Sequence, residues 1–132
     1  IAAAGTGLYI VAVSCMAAGE TRPQRLGWGR WAPFAILAGT VGALAGMSGL
    51  AHWPGMALAI GPLVVTWSLA KRLGSEPKPE TVPPAIGGFI RVLLALQATY
   101  CAMVSWEGCA AAAILLCLWP LSAIVAKRFY AS

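Results

Sequence analysis

From Trp31 to Ala70 the sequence carries no Asp, Glu, Lys or Arg, and from Ile1 to Gly19 it carries none either. A water-soluble fold cannot leave such runs uncharged, because little would remain to solvate its surface. The hydrocarbon interior of a bilayer demands them, and it also demands helices whose main-chain groups bond within the segment. Composition agrees: 60% of the 132 residues are apolar and 10% charged, where an ordinary soluble domain has about a quarter charged. Mean hydropathy is +0.80. The expected fold is an all-α integral membrane protein, a single bundle of about five transmembrane helices.

Taking about 17 to 21 apolar residues as enough to cross the hydrocarbon, the spans are expected at about 1–19, 31–51, 54–70, 85–104 and 109–126. Pro54 suits the first turn of the third span. Pro62 inside it removes a backbone donor, so this span is expected to kink or loosen. Between Lys71 and Pro84, the prolines at 77, 79, 83 and 84 predict an extended surface loop, since a residue preceding proline avoids the α region. Ser105-Trp106-Glu107-Gly108 is expected to form a short turn before the fifth span. In the second span Gly39 and Ala43, and Gly42 and Gly46, recur at four-residue spacing, which predicts close packing against a neighbouring helix. The chain opens on Ile1 at full hydrophobic thickness, as a piece of a longer chain would.

The basic residues give an orientation. Arg22, Arg25, Arg30, Lys71, Arg72, Lys78, Lys127 and Arg128 fall after the first, third and fifth spans, and the two other connections have none. If all five spans cross, loops 20–30 and 71–84 and the C-terminus share the cytoplasmic side. His52 and Glu107 lie opposite. The net charge of +5 therefore reads as membrane orientation and not as a nucleic-acid surface.

Few residues are equipped for chemistry. Glu20 follows Tyr9 by three helical turns, with Val13 and Met16 on the same stripe. Two readings stand: a phenol and a carboxylate lining one cavity, or a packed tyrosine and a solvated helix end. Arg91 lies inside the fourth span, where it either snorkels to lipid phosphates or turns inward. Turned inward, it joins Arg22, Arg25, Lys71 and Arg72 in a basic mouth suited to a diphosphate, with Glu20 left to hold a divalent cation. Cys15, Cys101, Cys109 and Cys117 have neither zinc nor disulfide spacing and read as packing residues. No P-loop, GxGxxG, GxSxG or HExxH is present, which removes support for soluble nucleotide and familiar hydrolase chemistry.

The apolar helix running from Gly7 through Tyr9 to Glu20, the stretch Lys78-Pro79-Glu80-Thr81-Val82 before a helix with Leu94 and Gln97, and the ending Lys127-Arg128-Phe129-Tyr130 together resemble the C-terminal half of the UbiA family of intramembrane prenyltransferases, in its divergent bacterial members. The resemblance implies a larger helical bundle in a bacterial inner membrane, open to lipid. In such a bundle, aspartate-rich motifs hold Mg²⁺, and the metal carries the diphosphate of an isoprenoid donor to be transferred to a lipophilic acceptor. On that pattern Glu20 is the candidate Mg²⁺ ligand, Tyr9 a cavity residue, and Arg22, Arg25, Lys71, Arg72 and Arg91 the diphosphate-binding candidates. The chain has no Asp. Expectation is therefore divided between a portion of a prenyltransferase, inactive by itself, and a degenerate member that only binds an isoprenoid, another lipid or a quinone-like molecule. Its partners are then the bilayer and an N-terminal half. The alternative is a non-catalytic accessory subunit of a larger membrane complex; a small transporter is disfavoured, because paired charges inside the spans are almost absent.

Overall fold

The computed structural model describes residues 1–18, 27–48, 53–74 and 77–130, with the backbone alone at 48, 79, 122, 123 and 125–130. Within these residues the fold is all-helical: α1 (Ala2–Ala18), α2 (Ala32–Ser48), α3 (Trp53–Leu73), α4 (Val82–Val104) and α5 (Trp106–Tyr130), with short 3-10 turns at Gly27–Trp31 and Pro79–Thr81. Two of the helices, α3 and α4, are long and apolar enough to cross a membrane. α1, α2 and the Trp106–Leu121 part of α5 are shorter apolar helices.

Successive helices run in opposite directions. Leu69 lies against Gly88 and Met103 against Gly55, which pairs α3 with α4 head to tail. Trp31 and Phe34 at the start of α2 meet Trp67 near the end of α3. Alternation therefore collects Arg30, Lys71, Arg72 and Lys78 at one end of the bundle, and Glu107 lies at the other.

α4 is the centre. It packs against α1, α2, α3 and α5, and its Phe89, Val92, Ala98 and Thr99 are fully enclosed. The buried stripe of α1 is Gly5, Tyr9, Val13 and Met16, the four- and three-residue steps of one helix face. By contrast only 28% of α3's apolar stretch is buried, and Ile60, Val64 and Trp67 point away from the bundle. Water does not favour an apolar helix left bare on one side; hydrocarbon does.

Several local expectations change. The third span is unbroken: α3 runs through Pro62, which is buried against its neighbours, so tertiary packing holds the helix across the missing donor. Val82-Pro83-Pro84 is helical and not extended. At the first turn of a helix the main-chain N–H has no partner in any case, and proline's fixed φ is already helical. The loop is accordingly short: Gly74, at φ +65°, ends α3, and the 3-10 turn at Pro79–Thr81 leads directly into α4. Lys78, before Pro79, is extended as the proline rule requires. The turn before α5 shrinks to Ser105 alone, whose Oγ accepts the Gly108 N–H at 3.0 Å, an N-cap.

The glycine stripe of α2 makes no close contact inside the bundle: among the described residues a Cβ placed on Gly39, Gly42 or Gly46 meets nothing within 4 Å. The close approaches lie elsewhere: a Cβ built on Gly55 would fall 2.7 Å from Met103 N, one on Gly5 would fall 2.9 Å from the Thr40 Cβ, and one on Gly108 would press into the Cys101 carbonyl. α2 is held instead by Leu37 and Thr40 on its buried face and by its aromatic start. Cys15 and Cys117 face outward, and only Cys101 and Cys109 are partly buried as packing residues.

Candidate functional site

The basic end begins with an aromatic cluster. Trp67 stands 4.6 Å from Trp31 and 5.1 Å from Phe34, centroid to centroid, and Phe34 meets Trp31 edge-on at 6.3 Å. Two cations bracket it: the Lys71 ammonium lies 5.3 Å from the Trp67 ring and the Arg30 guanidinium 5.6 Å from Trp31. Such contacts contribute roughly 0.5–1 kcal/mol where solvent reaches them. Indole rings with Lys and Arg at helix ends are the arrangement favoured at a membrane–water boundary.

One turn further, α3 and the start of α4 enclose a cavity of about 250 Å³ lined by Leu69, Arg72, Leu73, Glu80, Thr81, Pro84 and Ala85. Its chemistry is two-sided. Leu69, Leu73, Pro84 and Ala85 make an apolar wall, while Arg72, Glu80 and Thr81 supply a cation, a carboxylate and a hydroxyl. The Thr81 hydroxyl donates to the Lys78 carbonyl at 2.7 Å and its N–H donates to the same oxygen at 2.9 Å, which fixes the turn that presents Glu80. Arg72 and Glu80 share the cavity wall, and no ion pair joins them.

The expected site residues separate. Arg72 lines the cavity; Lys71, its neighbour, is engaged with Trp67. Arg91 does not line it. Because α4 starts at Val82, Arg91 lies nine residues into the helix, about 14 Å along it. It is half-buried and makes no ion pair among the described residues. Glu20, Arg22 and Arg25 lie outside the described residues. Tyr9, expected beside a cavity, is fully buried, and its hydroxyl donates to the Phe89 carbonyl at 3.0 Å, joining α1 to α4. An interhelical bond of this kind contributes about 0.6 kcal/mol in a membrane setting.

Sequence reasoning passed over Glu80 and Thr81, although both stand in the Lys78–Val82 stretch singled out above. The signal was the prolines: Pro79 and Pro83 pin a short turn that places these side chains against α3. A magnesium centre does not fit what is described. Mg²⁺ requires near-octahedral oxygen ligation, and among the described residues, which do not include Glu20, Glu80 is the one carboxylate lining the cavity and no three His, Cys, Asp or Glu come together. Comparison with family models, curated proteins and solved structures returns no match.

Proposed function

We infer that the chain is a membrane-embedded five-helix bundle that holds an amphiphile with a phosphate-bearing head group, with the head at the Arg72 cavity and the apolar tail along the outer helix faces. In the terms of the resemblance, the ligand is an isoprenoid diphosphate, and the chain is the C-terminal portion of a UbiA-like prenyltransferase or a degenerate relative that binds without transfer. The basic end then faces the cytoplasm of a bacterial inner membrane. The observation that carries the reading is the cavity's division into an apolar wall and a rim with Arg72 and Thr81, beside Lys71 and the aromatic cluster. A guanidinium and a hydroxyl suit phosphate oxygens. Glu80 in the same wall disfavours a bare anion, so the head group arrives with its own cation, metal or ammonium. The role proposed for the described residues is binding of the amphiphile.

Binding of an isoprenoid diphosphate and of the corresponding isoprenoid alcohol to the chain in lipid nanodiscs tests the reading. Arg72→Gln is expected to weaken the diphosphate about three- to tenfold, the modest effect of an exposed charge, and to leave the alcohol unchanged. Equal diphosphate affinity in both proteins would remove Arg72 and the cavity from the proposal.

The accessory-subunit reading is favoured by Gly42 and Gly46, where an added Cβ meets nothing among the described residues. It predicts a larger assembly that copurifies in fixed ratio and separates when either glycine becomes leucine.

A further inference from the structure

The central helix still has an open side. α1, α2, α3 and α5 all pack on α4, yet Ile90 is 55% exposed, Val104 is 74% exposed, and Gln97 midway between them is exposed as well. With the partly exposed Leu94 and Cys101 they step by four and three residues along the helix, the 3.5-residue spacing that keeps one face of a helix against a neighbour of like direction. The face is not overhung. Tyr9 of α1 bonds to Phe89, and Ala112 of α5 packs with Ala98; these two α4 residues are nine apart, which sets them on opposite sides of the helix.

Gln97 does not suit a lipid-facing surface. It lies seven residues before the end of α4, about 10 Å inside it, so in a membrane its amide stands in hydrocarbon. At the same depth the open face of α3 presents Ala57, Ile60, Gly61 and Val64, all apolar. A glutamine carries two donors and an acceptor oxygen, and no hydrogen bond engages them among the described residues. Lipid tails offer none either. We propose that this face of α4 is the two-fold interface of a homodimer in the membrane, in which Gln97 pairs with the same glutamine of a second copy.

Orientation and the chemistry of the amide select a second copy as the occupant. Both copies carry Arg30, Lys71, Arg72 and Lys78 at one end, so both insert the same way round. A two-fold axis normal to the bilayer then sets the α4 helices parallel, and each residue of the face meets its equivalent at the same depth. A charged side chain would meet a like charge there. A primary amide donates and accepts at once, so each N–H reaches the other's carbonyl and neither group is left in hydrocarbon. Gly87 continues the face toward Val82, and an added Cβ there meets nothing within 4 Å, which leaves room for the two backbones to approach. The inference rests on the membrane-embedded reading but not on the Arg72 cavity.

The test is Förster transfer between labelled copies of the full chain in lipid vesicles, followed as the protein is diluted with lipid. Wild type is expected to follow a monomer–dimer isotherm. Gln97→Leu is expected to weaken the dimer about three- to tenfold, and Gln97→Asn, which keeps the amide, to weaken it less. Gln97→Leu breaks no bond within the chain, so the monomer is expected to fold as before. Disulfide crosslinking locates the face: in a chain whose four cysteines are replaced by alanine, Ile90→Cys and Val104→Cys are expected to link two copies under oxidant, far faster than Ile60→Cys on α3. A monomer at every dilution, equal association of wild type and Gln97→Leu, or linkage at position 60 as fast as at 90 would each overturn the proposal. So would a different polypeptide that links to position 90 in place of a second copy. Alkaline carbonate extraction separates the two possible failures: a chain that stays in the membrane as a monomer overturns the interface alone, whereas one that is released overturns the membrane reading with it.

Discussion

The seams at Tyr9 and Tyr100 join the same two helices from opposite sides. Tyr9 reaches from α1 into α4, beside Phe89 and Thr66, and closes its hydrogen bond there. Tyr100 reaches from α4 toward α1 and α2, beside the Thr6 and Thr40 hydroxyls, and no hydrogen bond of good geometry reaches its oxygen among the described residues. The first seam is finished packing: Tyr9 and Phe89 are wholly enclosed. The second borders an open groove between α1 and α2, lined in part by Thr40. A buried hydroxyl left unpaired costs about 1–3 kcal/mol, so the two seams differ in how completely their polar groups are satisfied.

Three measurements of stability in detergent can break or sharpen this contrast. The largest effect is expected at the finished seam: Phe89→Ala leaves a cavity under Tyr9 and lowers stability by about 2–4 kcal/mol. A loss under about 1 kcal/mol would mean that the seam is looser than its enclosure indicates. Next is Gly5→Ala at the open seam, where a Cβ would stand 2.9 Å from the Thr40 Cβ. Overpacking there is expected to cost about 1–3 kcal/mol, and a neutral result would show that the groove can widen. The smallest and most diagnostic comparison pairs the two tyrosines. Tyr9→Phe loses a made hydrogen bond, about 0.5–1.5 kcal/mol, whereas Tyr100→Phe leaves stability unchanged or slightly raised. Equal losses for both would place a hidden partner on Tyr100.

The helical order, the approximate helix positions and the gathering of Arg30, Lys71, Arg72 and Lys78 at one end were legible in the sequence, because hydropathy and charge are carried by runs of residues. What depended on single residues was not. Pro83 and Pro84 were expected in an extended loop and Pro62 to kink or loosen its helix, yet the first two begin α4 and α3 continues through the third. The glycine stripe at 39, 42 and 46 has the right spacing for close packing, but spacing does not say which face of α2 meets the bundle. Arg72 was legible as a basic residue at a helix end. Tyr9 drew attention by its place in the Glu20 stripe and proved to be packed in the core, while Tyr100, in an equally apolar span, was passed over. A phenol's partner is fixed by the crossing of helices far apart in sequence, which no local pattern records.

The junction at Ser105 has a mechanical consequence. One residue joins α4 to α5, and directly beyond it Gly108 rests on the Cys101 carbonyl. A connection this short ties the start of α5 to the end of α4, so a push on the bare outer face of α5 at Ile114 or Leu118 bears on the helix that carries both Phe89 and Tyr100.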